Sequence, residues 1–236
     1  MLLQRLTGGR AKDIKLGTIY ILVNVKNVVI AYSGAMRATA TPYHHGNLRA
    51  ALLDQAERKI EQVGVTGLSL RELAREVGVS HGAPRPHFAD KQALLDALAV
   101  RGLERLGAEL DAGLAQASGS FDERLTVFAR GYVRFATEHP ALLALMFARK
   151  DNPDRPELRA ANERAFAAPS ALIAAAIASG EINSDDPDRI AMAVLATLQG
   201  LAAIIASDMT GGRPADRVIA GTIQTLIHGL RPRRED

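Results

Sequence analysis

Apolar side chains recur at helical spacing along most of the chain from about residue 47 onward. Leu52, Leu53, Ala56 and Ile60 share one face of a first helix, which the pattern predicts to end at Gly64. Similar stripes follow, and glycine or proline separates them. The pattern therefore predicts an all-α fold of about nine helices.

A stretch near residue 70 contains two short helices in close succession. Ser69 and Glu72 have the spacing of a capping box, which predicts that a helix begins there. Gly78 can adopt the positive φ that ends such a helix, and Ser80 opens a second one. Two short helices joined by a tight turn describe a helix-turn-helix motif, although an ordinary helical hairpin has the same spacing.

The motif belongs to a longer pattern that runs without a gap from Asn47 to Leu95. Its elements are Leu52-Leu53-Asp54-x-Ala56, Gly64, Leu68-Ser69-Leu70-Arg71-Glu72-Leu73-Ala74, Gly78-Val79-Ser80 and His87-Phe88-x-Asp90-Lys91-x-x-Leu94-Leu95. This pattern resembles the DNA-binding domain of the TetR family of transcriptional regulators. The resemblance implies a three-helix helix-turn-helix DNA-binding domain over residues 37–95. A helical effector-binding and dimerisation domain would follow over residues 96–230.

The resemblance also implies that the DNA-contacting side chains surround the second helix of the motif. The candidates are Arg49, Ser69, Arg71, Ser80, His81, Gly82, Ala83, Arg85, His87 and Lys91. Lys91 resembles the family's phosphate-contacting lysine, at a helix N-terminus that itself attracts phosphate. Arg85 stands where TetR-like sequences usually carry tyrosine, and could replace it as a phosphate contact. Pro84 and Pro86 each remove a backbone hydrogen bond, so we expect a single turn followed by an irregular passage.

The periodic segments of the second domain predict six further helices. They cover residues 90–117, 122–138, 140–149, 157–179, 187–208 and 214–228. Large apolar side chains on three of them are candidates for an effector pocket, although each could equally belong to the core: Phe128, Tyr132, Phe135, Met146, Phe147 and Phe166. The segment from Tyr132 to Phe147 resembles a C-terminal subtype of the family named for a Trp-His-Gly signature. Of that signature this chain keeps only Gly200.

The last two helices combine small residues with apolar surface around nearly the whole circumference. A helix that is apolar on most faces is buried on most faces. The resemblance implies that these helices meet their symmetry mates in a homodimer, whereas internal packing is the simpler alternative. The candidate interface residues are Leu195, Leu198, Gly200, Ala203, Ile204, Ile223 and Ile227.

Charge and cysteine content change this picture little. The formal net charge is +3, but residues 1–36 hold five basic residues against one acid, so the rest is close to neutral. Affinity for DNA must therefore come from local placement of charge. The absence of cysteine excludes disulfides and fits a reducing cytoplasm.

Residues 1–36 differ in composition from everything that follows. Leu16 to Tyr32 is rich in β-branched residues, and Asn24, Lys26 and Asn27 interrupt its apolar run. These polar residues argue against a signal peptide or a membrane span. We expect residues 1–36 to be an atypical extension that is disordered or precedes a true start at Met36.

The functional prediction is a cytoplasmic transcriptional regulator, a ligand-responsive repressor that binds a palindromic operator as a dimer. Its effector would be an unknown small molecule. A small α-helical enzyme and a DNA-binding protein without a ligand are the alternatives. The six histidines show no Ser-His-Asp order and no His-Glu metal spacing, so no catalytic residue, metal or cofactor is predicted.

Overall fold

A computed structural model describes residues 48–149 and 155–230 of this chain. These residues form α1 (Leu48–Val63), α2 (Leu70–Val77), α3 (Lys91–Gln116), α4 (Phe121–Glu138), α5 (Pro140–Arg149), α6 (Pro156–Ala165), α7 (Ala167–Ala178), α8 (Pro187–Ala206) and α9 (Ala215–Leu230). Within these ranges there is no strand, and the prediction of an all-α fold with about nine helices is confirmed. The predictions for residues 1–36 and for Asn47 lie outside the described residues.

The helices α1 and α2, with the segment that precedes α3, form a unit that we call the head. α2 ends at Gly78, whose φ of 79° is the left-handed conformation that favours glycine. The Gly78 amide donates to the Arg75 carbonyl at 3.2 Å, and the Val79 amide donates to the Ala74 carbonyl at 2.9 Å. These two bonds form a Schellman motif, which satisfies carbonyls at the helix end and redirects the chain.

The predicted capping box at the start of α2 is wrong. The helix begins at Leu70 as expected, but the Ser69 side chain makes no capping bond among the described residues. The Glu72 carboxylate instead accepts a hydrogen bond from Lys59 Nζ of α1 at 2.9 Å. The two residues have the right local spacing, but an ammonium group from another helix takes the carboxylate.

The predicted second helix of the motif does not form. Residues 81–87 follow a series of tight turns, in which the amides of Ala83, Arg85 and His87 donate to carbonyls three residues earlier at 3.0 to 3.1 Å. The prolines at 84 and 86 have no N–H, so neither can donate a backbone hydrogen bond to an earlier carbonyl. The prolines thus prevent a regular helix, and the segment is irregular, as the two prolines indicated. We call residues 80–88 the turn segment.

The long helix α3 joins the head to the remaining helices, which we call the body. Asp90 caps it by accepting a bond from the amide three residues later at 2.8 Å, as predicted. Two glycines allow other helices to approach its backbone closely. A Cβ on Gly102 would lie 2.8 Å from Met146 Sδ of α5, and one on Gly107 would lie 2.9 Å from Ala165 Cα of α6.

The single helix predicted over residues 157–179 is divided in two. α6 ends at Ala165 and α7 begins at Ala167, with Phe166 at φ −110° and ψ 9° between them. Pro169 is the physical reason, because in a continuous helix its ring would collide with the Ala165 carbonyl. In the first turn of α7 it is tolerated, since amides there lack intrahelical partners.

The helix α4 lies in the centre of the body, where it contacts α3, α5, α7, α8 and α9. Its apolar stripe is buried as predicted, and Tyr132 and Phe135 are completely inaccessible. It begins with a capping box that sequence reasoning missed. The Ser120 hydroxyl accepts from the Glu123 amide at 3.4 Å, and the Glu123 carboxylate accepts from the Ser120 amide at 2.9 Å.

The helix α8 is long and apolar enough to cross a membrane, by length and composition alone. In the folded chain it packs against α4, α7 and α9. One side of it is buried in the protein core through Ile190, Val194, Leu198, Leu201 and Ala202. The opposite side, including Gly200, remains at the surface.

Candidate nucleic-acid interface and internal cavity

The turn segment buries its apolar groups and exposes its polar ones. Pro84 and Phe88 are buried and anchor it to the head. Most of the predicted DNA-contacting residues are exposed, namely Arg49, Ser69, Arg71, Ser80, His81, Gly82, Arg85 and His87, whereas Ala83 and Lys91 are half-buried. The head thus presents hydroxyl, imidazole and guanidinium groups, which bind phosphate oxygens and base edges.

Two cationic side chains are held in place beside the turn segment. Lys91, at the N-terminus of α3, donates through Nζ to the Thr66 carbonyl at 3.0 Å. This bond uses one of the three donors of the ammonium group and ties α3 to the loop before α2. The Arg49 guanidinium lies 5.5 Å above the centre of the Phe88 ring, a cation–π contact that orients it while it remains exposed.

A salt-bridge cluster fixes α2 on α1. Lys59 Nζ lies 2.9 Å from the Glu72 carboxylate and 2.8 Å from that of Glu76. The hydrogen bonds that Lys59 donates to Glu76 and to Glu72 raise the pKa of Lys59. Gln55 also donates to Glu76 at 2.7 Å. Sequence reasoning missed this cluster, although the spacing of four between the two glutamates places them on one face of α2.

Two arginines of α3 bind acids of α1 where the head meets the body. Arg101 contacts Asp54 at 2.5 Å and Glu57 at 2.6 Å, and Arg105 contacts Glu57 at 2.7 Å. Burial alone would raise the pKa of the Glu57 carboxyl, but the bonds from both arginines outweigh it and hold that pKa below its usual value. Arg105 also lies 5.1 Å above the Phe135 ring, so this junction is anchored in the core of the body.

A carboxylate of the head also caps a helix of the body. Glu61 of α1 accepts hydrogen bonds from the amides of Ala141 and Leu142 at 3.2 and 3.1 Å. These amides belong to the first turn of α5, where N–H groups have no intrahelical partner. A negative charge there also complements the helix dipole. The position of α5 is therefore coupled directly to that of α1.

The body contains a cavity of about 320 Å³, partly open to solvent, between α4, α5, α6, α7 and α8. Three of the predicted pocket residues, Phe128, Phe147 and Phe166, line it. Sequence reasoning missed other lining residues, among them Asn162, Ser170, Asp188, Met192, Leu195 and Leu198. The signal that could have found those of α8 is their spacing, since Asp188, Met192 and Leu195 recur on one helical face.

The other three predicted pocket residues are core residues rather than lining residues. The side chains of Tyr132, Phe135 and Met146 are at most 1% exposed, and they lie outside the lining of the cavity. The Tyr132 hydroxyl has no hydrogen-bond partner among the described residues. Burial raises the pKa of this phenol, because the charged phenolate is disfavoured away from water.

The predicted dimer-interface residues fall into two groups. Gly200 and Ala203 are exposed and Ile204 is 38% exposed, so all three can meet a partner chain. Leu195 is half-buried at the cavity, and Leu198, Ile223 and Ile227 are at most 2% exposed, inside the core of their own chain. The prediction that Leu198, Ile223 and Ile227 belong to an interface is therefore wrong, because they lie on the helix faces that pack against their own chain.

This architecture, a donor-rich head on a cavity-containing helical body, is that of a DNA-binding transcriptional regulator. Two family models match the corresponding parts of the chain. Residues 52–98 match the model described as bacterial regulatory proteins, tetR family, and residues 125–228 match the tetracyclin repressor-like C-terminal domain. The chain belongs to the TetR family.

Individual relatives agree with this assignment. A solved structure of a protein with unknown function from Rhodococcus sp. RHA1 is 42% identical, with a TM-score of 0.73 over 82% of this chain and 100% of that one. The uncharacterized HTH-type transcriptional regulator YobS of Bacillus subtilis is 32% identical over 95 residues, 40% of this chain and 49% of its own. The tetracycline repressor protein class D of Escherichia coli is 39% identical over 57 residues, 24% and 26% of the two chains. The chain thus spans half or less of the length of these two curated relatives.

Proposed function

We propose that this protein is a ligand-responsive repressor that binds a palindromic DNA operator as a homodimer. The observation that carries the proposal is the presence, in one chain, of an exposed donor-rich segment in the head and an apolar cavity in the body. Salt bridges and a helix cap connect the two. The name of the tetracycline repressor, a relative over 57 residues, supports repression rather than activation.

On the DNA side, the turn segment would enter the major groove, and cations around it would hold the phosphates. Ser80, His81 and Gly82 lie at its exposed start, where base edges are usually read. Arg85 and Lys91 would bind phosphate oxygens. Because the segment is a set of turns rather than a helix, few side chains can reach base edges. We expect phosphate contacts to dominate the affinity.

On the effector side, α5 provides a short physical path from the cavity to the head. Phe147 of α5 lines the cavity, and the first turn of the same helix is capped by Glu61 of the head. A molecule that displaces Phe147 would therefore shift the amides that Glu61 holds. Such a ligand favours the head position that fits it best, which shifts the population away from the DNA-binding state.

The exposed face of α8 and α9 supports the homodimer. A Cβ on Gly200 or on Gly221 would meet no atom within 4 Å in the described chain. Glycine inside a helix costs roughly 0.5–1 kcal/mol relative to alanine, and nothing in its own protomer requires it at either position. A partner helix that approaches closely would require both.

The other candidate functions receive less support. The head–body junction borders an open polar cleft lined by Glu57, Glu61 and His139. Its two glutamates are engaged, one by arginines and the other by backbone amides, as expected for a structural joint rather than for acid–base catalysis. A DNA-binding protein without an effector would have no use for the cavity.

The DNA contacts are tested with operator fragments selected from random-sequence DNA. Replacing Lys91 with alanine should weaken binding to all selected sequences alike and lower the salt slope of the affinity by about one, the signature of a lost phosphate contact. Replacing His81 with alanine should instead change the preferred bases. Fluorescence anisotropy at several salt concentrations measures both effects.

The matched control for Lys91→Ala is Arg189→Ala, which removes one positive charge from an exposed site on α8, far along the chain in the body. This control should leave the salt slope unchanged. If Lys91→Ala also leaves the slope unchanged, the phosphate contact is not made by Lys91. If neither head variant alters binding, the proposed interface is wrong.

A further inference from the structure

We infer that the effector of this cavity is a small amphipathic cation, an organic ammonium or amidinium attached to an aromatic or aliphatic body. This inference rests on the proposed function, in which the cavity is the effector site. It is carried by three features of the lining: its charge, its aromatic side chains and the order in which polar and apolar groups follow one another.

The charge of the lining is negative. Among the described residues that line the cavity, Asp188 is the only one with a formal charge, and lysine, arginine and histidine are absent from that set. A carboxylate or phosphate ligand would meet a like charge and lose its hydration without compensation. A cation would meet an opposite charge, and a neutral molecule would neither gain nor lose by it.

The aromatic groups of the lining also favour a cation. Phe128 of α4, Phe147 of α5 and Phe166 at the break between α6 and α7 all contribute to the wall. The faces of aromatic rings carry negative electrostatic potential and attract ammonium groups. Rings from three separate elements can thus contact a cationic ligand favourably, whereas they offer no hydrogen bond to an anion.

The order of groups along the cavity indicates an amphipathic molecule. Asp188 is exposed, so the charge lies at the open end, and Met192 follows one helical turn later on the same face with 64% exposure. Phe128 and Leu198 are buried and form the inner end. A volume of about 320 Å³ is near the lower limit for sites that hold drug-sized ligands, so one or two rings would fill it.

The test compares three probes of similar shape with the full chain: phenylbutyl-trimethylammonium, phenylbutanol and phenylbutyrate. We expect the ammonium probe to bind about fivefold tighter than the alcohol and the carboxylate to bind weakest. In Asp188→Asn this advantage of the ammonium over the alcohol should shrink, because only the aromatic rings still favour the cation, and in the unmodified protein it should shrink as salt is added. Isothermal titration calorimetry measures the affinities.

Asp185→Asn is the matched control. It removes the same charge three residues earlier, from an exposed carboxylate that faces Arg189 at 3.4 Å and does not line the cavity. This variant should retain the full preference for the ammonium probe. Retention of the full preference in Asp188→Asn, or an equal loss in both variants, would overturn the assignment of Asp188.

Equal or tighter binding of phenylbutanol or phenylbutyrate, or no binding by any probe, would overturn the inferred ligand class. The proposed function is tested separately by adding the ammonium probe to the protein bound to its selected operator. Binding in the cavity that leaves DNA affinity unchanged would contradict ligand-responsive repression but not the cation site. If the alcohol releases DNA and binds as tightly as the ammonium probe, ligand-responsive repression is supported and the cation site is contradicted.

Discussion

At the scale of single residues, Tyr132 carries a feature that should cost stability. Its side chain is fully buried, and its hydroxyl has no partner among the described residues. A buried donor without a partner costs about 1–3 kcal/mol relative to one that is satisfied. Replacing Tyr132 with phenylalanine removes that hydroxyl and keeps the ring, so the free energy of unfolding should rise by up to about 1 kcal/mol. Urea denaturation measures it.

Thr137→Val, on the same helix, is the control for this substitution. The Thr137 hydroxyl donates to the Val133 carbonyl at 2.9 Å, so its removal breaks a bond that exists. We expect the control to be neutral or slightly destabilising. A loss of more than about 1 kcal/mol in Tyr132→Phe would show that the phenol has a partner, such as an ordered water molecule.

Residue-scale chemistry was predictable from sequence only where a side chain acts on its own neighbours. Gly78 and Asp90 took the predicted roles because a left-handed turn and a helix cap are local. Ser69 and Glu72 have equally suitable local spacing, yet the carboxylate binds Lys59 thirteen residues earlier. A local pattern carries no information about such a competitor, because the fold brings it there.

At the scale of secondary-structure elements, two of the three glycines of α3 have different surroundings. A Cβ on Gly107 would lie 2.9 Å from the Ala165 backbone, whereas one on Gly113 would make an ordinary 3.5 Å contact with Val127. Gly107→Ala should destabilise the protein by about 1–3 kcal/mol, because α6 must move. Gly113→Ala should stabilise it by up to about 1 kcal/mol through helix propensity.

The two glycine variants are measured together by chemical denaturation, and each is the control for the other, since both make the same substitution inside one helix. Opposite signs are expected. A gain in stability from both would mean that α6 does not pack on the α3 backbone at residue 107. That outcome would contradict the close contact between α3 and α6 described above.

Helix ends were predictable where glycine or proline stands at them, but the consequences of proline inside a segment were harder to foresee. Pro84 and Pro86 indicated an irregular turn segment, and the structure has one. Pro169 was overlooked, so one long helix was expected where α6 and α7 form. The break matters because it places Phe166 in the cavity wall.

At the scale of the whole molecule, contacts between distant segments decide the candidate site. Glu61 caps α5 through amides 80 and 81 residues away, and Arg101 reaches Asp54 across 47 residues. No periodicity in the sequence encodes such pairs. For the same reason only three of the six pocket residues predicted from their size line the cavity, and Asp188, which determines its charge, was missed.

At the same scale, the exposed face of α8 offers a surface through which two copies of the chain can associate. Gly200 lies on that face with open space around its Cα, so a leucine there can be accommodated within a single protomer. In a dimer the added side chain would occupy the volume that a closely packed partner helix needs. Gly200→Leu should therefore give folded monomers that bind the palindromic operator poorly, because two linked heads are needed for two half-sites.

Sedimentation velocity measures the mass, and Ala115→Leu, at an exposed position of α3, is the control that should remain dimeric. If Gly200→Leu sediments as an unchanged dimer, the two chains associate through another surface.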